Sequence, residues 1–138
     1  MAEPLPKKLG IKEGMRTFFV NAPSSVIEAM ASPGFKVASK LSGYFDYIHF
    51  FTKTQSELEN YFSKLKNHLK PNGMLWISWP KHKQLDTDLT MTTIIKIGYD
   101  HGLVESKCVS VDSTWSGIKF TVPIKGKIYN NRYGQLKL

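Results

Sequence analysis

The stretch Leu69-Lys70-Pro71-Asn72-Gly73-Met74-Leu75-Trp76-Ile77-Ser78-Trp79-Pro80-Lys81 constrains this chain more than any other. Its apolar run is too short for a helix and is closed by Pro80, so it reads as a buried strand over Met74–Trp79. Pro71 cannot donate to a continuing helix and restricts the residue before it. Pro-Asn-Gly therefore predicts a tight turn between a helix end and that strand. A strand buried on both faces needs covering layers, which points to an α/β sheet rather than an open antiparallel one.

The rest of the chain reads consistently with that sheet. Residues 1–14 form an extended lead-in, and Met15–Val20 is a short apolar first strand. Ser25 and Glu28 have capping-box spacing in a helix over 24–31, which Ser32-Pro33-Gly34 ends. A short strand over 35–39 follows. Phe45–Phe51 is apolar on both faces and predicts a central parallel strand. Thr54 and Glu57 form a second capping box ahead of Leu58, Tyr61, Phe62, Leu65 and Leu69 at helical spacing. Asp86-Thr87-Asp88 offers an N-cap for a helix that runs to His101, with Gly102 just past its end. Two strands, 103–112 and 117–123, are joined by a loop too short for a helical crossover, so they pair antiparallel. The predicted fold is a three-layer, Rossmann-like α/β domain over residues 1–123: a mostly parallel sheet that ends in an antiparallel hairpin. Residues 124–138 form a basic C-terminal tail, read as a solvated terminus.

The strand, helix, Leu-Lys-Pro-Asn-Gly turn, strand, helix and terminal hairpin of residues 45–123 resemble the later half of class I methyltransferases. Several longer motifs, among them Lys8–Met15, Asn21-Ala22-Pro23, Met74–Lys81 and Asp112–Phe120, resemble a family of short bacterial proteins known only as a domain of unknown function. The first resemblance implies S-adenosylmethionine chemistry, and the residues argue against it. Only glycine lets a backbone approach such a cofactor closely, yet the loop after the first strand is Asn21-Ala22-Pro23-Ser24-Ser25. The second strand ends Ala38-Ser39-Lys40, where the family places an acidic residue on the ribose. Phe51 is followed by Thr52-Lys53 in place of the Asn-Pro-Pro-aromatic loop of amino-group methyltransferases. One βα unit is also missing before Phe45.

The expected function is accordingly a non-catalytic binding domain without a working S-adenosylmethionine loop. The alternatives are a methyltransferase with an atypical cofactor site and a nucleic-acid accessory protein. No cofactor is predicted, and S-adenosylmethionine is the one to test. Open α/β sheets bind ligands at the C-terminal ends of their strands. Asn21, Ser24, Ser25, Thr52, Trp79, Lys81, Asp88, Trp115 and Ser116 are the residues expected to gather there, around a small anionic ligand. The net charge of +8 suits such a ligand; the weaker alternative is a nucleic acid bound by Lys125, Lys127, Arg132 and Lys137 of the tail.

Other chemistries lack their residues. The four histidines have no metal-ligand spacing among themselves or with Cys108, the lone cysteine, and no catalytic or metal-binding residue is assigned. His49 reads as a hydrogen-bonded core histidine and Cys108 as a small apolar filler. No apolar run is long enough to span a bilayer and no secretory signal opens the chain, so a cytoplasmic protein without membrane contact is expected. A homodimer is left open.

Overall fold

The computed structural model describes residues 4–30, 35–123, 128–131 and 134–137. Its main sheet has six strands in the order β2-β1-β3-β4-β6-β5, with β1 Arg16–Val20, β2 Lys36–Val37, β3 Phe45–Phe51, β4 Leu69–Pro80, β5 Val104–Ser110 and β6 Trp115–Thr121. The pairs β2–β1, β1–β3 and β3–β4 are parallel, and β4–β6 and β6–β5 are antiparallel. The predicted architecture is the observed one.

Strand alternation sends the core to two faces. Ile48, Phe50, Leu75, Ile77, Ile118 and Phe120 meet α3 (Gln55–Lys66) and α4 (Met91–Asp100). Tyr47, Phe51 and Trp76 meet α1 (Leu5–Leu9) and α2 (Ser24–Ala29). Helix α3 starts where its capping box predicts: the Thr54 hydroxyl accepts the Glu57 amide at 3.1 Å. Its Leu58, Phe62 and Leu65 are buried one turn apart, as the helical spacing requires.

Five local readings are corrected. Ser25 and Glu28 form no capping box, because α2 already starts at Ser24, with Pro23 at its N-cap and no side chain bonded there. The lead-in is not extended throughout, because Leu5–Leu9 forms α1, with Pro6 in its first turn and Gly10 closing it at φ 86°. Five residues carry too little periodicity to announce a helix. This one is fixed by tertiary contacts: Leu9 is buried, and its carbonyl accepts the Trp76 indole N–H at 3.0 Å. Pro71-Asn72-Gly73 is not a turn between elements but lies inside β4, where the β3–β4 register shifts between Phe45 and Tyr47. Gly73 is required there, since a Cβ would lie 2.9 Å from the Phe45 carbonyl oxygen. Helix α4 is capped by Thr90, whose hydroxyl accepts the Thr93 amide at 3.3 Å, and not by residues 86–88. Cys108 is exposed on the edge strand β5 and fills no core space.

The C-terminal tail contains a second, two-stranded sheet, β7 (Ile128–Asn131) paired antiparallel with β8 (Gly134–Lys137). Among the described residues no helix is long and apolar enough to cross a membrane.

Replacing Trp76 by phenylalanine keeps the ring in the core and removes the donor to Leu9. A buried carbonyl then loses its partner, at a cost of about 1–3 kcal/mol. Amide exchange over Lys8–Ile11 is expected to quicken well beyond that of β3, measured by hydrogen–deuterium exchange. Equal protection in both proteins would contradict the role given to this hydrogen bond.

Candidate functional site

The crossover from β1 through α2 turns one way along the sheet and that from β3 through α3 turns the other. The strand ends of β1 and β3 therefore form the topological switch point, the usual ligand crevice of an open α/β sheet. A cavity of about 410 Å³ lies there, lined by Asn21, Phe51, Thr52, Lys53, Glu57, Leu85 and Trp115.

Each wall has a local cause. Asn21 leaves β1 with φ 58°, a left-handed conformation that asparagine tolerates better than most residues. Its amide Nδ2 reaches the Phe51 carbonyl at 3.4 Å, bridging the gap between the two strands. Thr52 is buried, and its hydroxyl donates to Glu57 Oε1 at 2.5 Å. That bond draws the Glu57 carboxylate back over the strand end from the first turn of α3. Trp115, at the start of β6, stands edge-on to Phe51 with ring centroids 5.2 Å apart.

A second cavity, of about 470 Å³, opens beyond the end of β4. Trp79, Pro80, Lys81, His82 and Lys83 form one side, and Leu89, Thr90, Met91 and Ser116 the other. The Lys81 ammonium is hydrogen-bonded to the Ser110 hydroxyl, and the Lys81 amide donates to the Thr114 carbonyl at 2.7 Å. The segment 81–86 separates the two cavities. His82, Lys83, Leu85 and Asp86 all have positive φ, at 51°, 59°, 54° and 55°. Left-handed backbone at four non-glycine residues is costly unless the surroundings hold it. Here Gln84 Nε2 donates to the Ser113 carbonyl at 3.2 Å, and the Thr87 amide donates to the Gln84 carbonyl at 3.2 Å.

The nine residues expected at the crevice thus divide. Asn21, Thr52 and Trp115 share the switch-point cavity, whereas Trp79, Lys81 and Ser116 line the second. Ser24 and Ser25 are exposed in the first turn of α2 and line neither. Asp88 serves α3 instead, its Oδ1 accepting the Gln55 amide at 2.8 Å. Lys125, Lys127 and Arg132 lie outside the described residues, and of Lys137 only the backbone, in β8, is described. Sequence reading missed Glu57 and Leu85 at the first cavity and His82 and Lys83 at the second. For Glu57 a signal existed: a carboxylate in the first turn after a strand lies near that strand's C-terminal end. For the 81–86 segment none did, because its left-handed backbone carries no glycine.

His49 lies in neither cavity. It is fully buried beneath the switch point, stacked on Phe51 with centroids 4.3 Å apart. Nδ1 pairs with the Tyr47 hydroxyl at 2.8 Å and Nε2 with the Ser78 hydroxyl at 2.6 Å. A neutral imidazole has one donor and one acceptor nitrogen, so both are satisfied. Burial lowers the His49 pKa to about 3 and pushes the Tyr47 phenol well above its ordinary value. This is a closed core network, as the sequence reading of His49 expects. Among the described residues no cluster of histidine, cysteine, aspartate or glutamate is arranged to hold a metal ion.

S-adenosylmethionine does not fit this crevice as the methyltransferase resemblance would require. Pro23 removes a backbone donor from the loop after β1, and the Asn21 side chain spans the opening where that resemblance calls for glycine. Beyond β2 the backbone continues through Ala38, Ser39 and Lys40, which provide no carboxylate for a ribose.

The sequence matches no family model and no curated protein. Solved structures do match. The precorrin-6y C5,15-methyltransferase of Geobacter metallireducens aligns at TM-score 0.58 and 15% identity, covering 86% of this chain and 86% of that one. A TehB-like SAM-dependent methyltransferase of Corynebacterium glutamicum aligns at TM-score 0.56 and 12% identity over 86% of this chain and 85% of its own. The magnesium protoporphyrin IX methyltransferase of Synechocystis, with bound SAM, gives 0.55 and 11% over 86% and 74%. At such identities the likeness is one of fold: this chain has the Rossmann-like fold of class I methyltransferases, in a truncated form.

Proposed function

We propose that this protein is a small-molecule-binding domain built on a methyltransferase-like sheet, without methyl-transfer activity. One observation carries the reading. The sheet keeps a cavity at its switch point, while the loop that a methyltransferase would use there is Asn21-Ala22-Pro23, with Asn21 bridging to Phe51. His49, whose imidazole burial keeps neutral, is sealed in the core and faces neither cavity.

The ligand in this reading is small and anionic. Lys53 stands at the first cavity, and Lys81, His82 and Lys83 stand at the second. Glu57, the one carboxylate at the first cavity, already accepts a hydrogen bond from Thr52. The reading also places the chain in a reducing cytoplasm, where exposed Cys108 stays a thiol, and beside the short bacterial family that its motifs resemble.

Thermal shift tests it. A ligand specific to the folded state, present at a hundred times its dissociation constant, stabilises by about 2.7 kcal/mol. Millimolar S-adenosylmethionine and S-adenosylhomocysteine are expected to leave the melting temperature unchanged, whereas pyrophosphate or citrate raises it. A clear rise with S-adenosylmethionine would overturn the proposal and restore the methyltransferase reading.

A further inference from the structure

Parallel strands in one sheet are normally joined by a helical crossover. Two of the three parallel connections here obey: α2 joins β1 to β2, and α3 joins β3 to β4. The third, from β2 to β3, has no helix. Residues 38–44 cross β1 as irregular chain, with only Ala38 and Leu41 packed on the core that α3 covers. Among the described residues, that face of β1 consequently lacks the helix which should lie beside α3.

The two flanks of α3 show the difference. On one flank α4 is in place and three polar side chains reach its C-terminal end: Ser63 Oγ and Glu59 Oε2 pair with the His101 ring at 3.0 and 3.1 Å, and the Lys66 ammonium donates to the His101 carbonyl. The other flank carries Tyr61 and Lys64 and faces an apolar groove of about 130 Å³ formed with Phe18, Val20, Leu41 and Leu65. Tyr61 keeps 42% of its surface exposed although its ring packs 5.6 Å from Phe50.

We propose that this groove docks an amphipathic helix with acidic flanks, supplied by another protein. Charge selects the partner. Lys64 borders the groove, Lys40 is exposed beside Leu41, and Lys36 is exposed on β2, paired with Arg16 on the same strand face as Phe18. A second copy of a chain carrying +8 would bring like charges together there, and this chain's own tail from 124 to 138 has no acidic residue. Five residues of β1 span about 17 Å, the length of roughly eleven helical residues. One leucine would fill the groove, its neighbours at i+3, i+4 and i+7 would lie along the uncovered face of β1, and glutamate on the flanks would meet the lysines.

The test uses the full chain, ¹⁵N-labelled, and two synthetic helical peptides with that leucine pattern, one flanked by glutamate and one by lysine. The glutamate peptide is expected to move the amide signals of Phe18, Val20, Leu41 and Tyr61, and the lysine peptide to bind at least tenfold more weakly. Lys64→Glu should weaken the glutamate peptide at least fivefold, whereas Glu59→Gln, on the flank occupied by α4, should leave it unchanged. Both sites are exposed, and an unchanged melting temperature checks that each variant folds. No signal change at the groove, equal binding of both peptides, or signals moving only at the sheet ends would overturn the proposal. So would a dimer that Tyr61→Ser dissociates, since a second copy would then be the occupant.

Discussion

Acidification from pH 7 is expected to lower the unfolding free energy by about 3 kcal/mol at pH 4 and about 4 kcal/mol at pH 3 through His49 alone. The imidazole is fully buried, and burial lowers its pKa from 6.5 to about 3 in the folded state. Unfolding returns it to water, where it takes up a proton below pH 6.5. The unfolded state therefore binds more protons across the interval from 6.5 down to about 3, and stability falls as pH falls through it. Asp46 acts in the same direction lower on the scale. Burial raises its pKa, but the Arg16 amide at 2.9 Å and the Lys70 ammonium at 3.1 Å outweigh that and hold it below its ordinary value. Its contribution is lost as pH falls below about 4. Tyr47 closes the opposite end, because its phenol stays neutral when folded and ionises near pH 10 when unfolded, so stability falls again above that pH. Urea midpoints between pH 7 and pH 4 check the His49 share, with an expected slope approaching one proton per molecule. A flat profile, or a His49 ring signal titrating near pH 6 in the folded protein, would refute it.

Gly98→Ala is expected to destabilise the protein by about 2–3 kcal/mol, although alanine is the better helix former by about 1 kcal/mol. Gly98 lies inside α4 where the helix crosses β6, and a Cβ there would sit 2.1 Å from Phe120 Cε1. The phenylalanine has nowhere to go. It is fully buried and stands edge-on to Phe62, with ring centroids 5.6 Å apart. Helix and strand must separate or the ring must leave its rotamer, and both responses disturb the larger core. The melting temperature should fall by roughly 6–15 °C. Pairing the substitution with Phe120→Leu separates this account from a generic helix effect: the double variant should recover part of the loss, a coupling of about 1 kcal/mol or more. Strict additivity would mean that the two residues do not compete for the same space.

Much of the fold was legible because the relevant signals are local. Phe45–Phe51 and Met74–Trp79 announced buried strands through unbroken apolar runs, and Thr54 with Glu57 announced the start of α3 through spacing alone. The short Ser113–Ser116 link allowed only an antiparallel pair, which β5 and β6 form. The candidate site was less legible. Asn21, Thr52 and Trp115 come together at one cavity because topology places strand ends together. The division into two cavities was not legible, since it depends on the left-handed backbone of His82, Lys83, Leu85 and Asp86. Asp88 shows why such errors arise: its position suited a cap for the helix that follows it, yet its carboxylate caps α3 thirty-three residues earlier. Local spacing cannot distinguish a near amide from a distant one brought close by packing.

The sequence by itself determined the period of each long element, the caps of the best-marked helix, the hairpin end of the sheet and the absence of glycine from the loop after β1. These depend on dihedral preference and on alternation over a few residues, which are written in order along the chain. Only the tertiary structure decided that Leu5–Leu9 is a helix held by Trp76, that Pro-Asn-Gly is absorbed within β4, that Tyr47, His49 and Ser78 close a polar network in the core, and that one flank of α3 stands without a neighbouring helix. Each depends on contacts between residues far apart in the chain. Their energies come from burial and from satisfying buried polar groups, and these are set only when the layers meet.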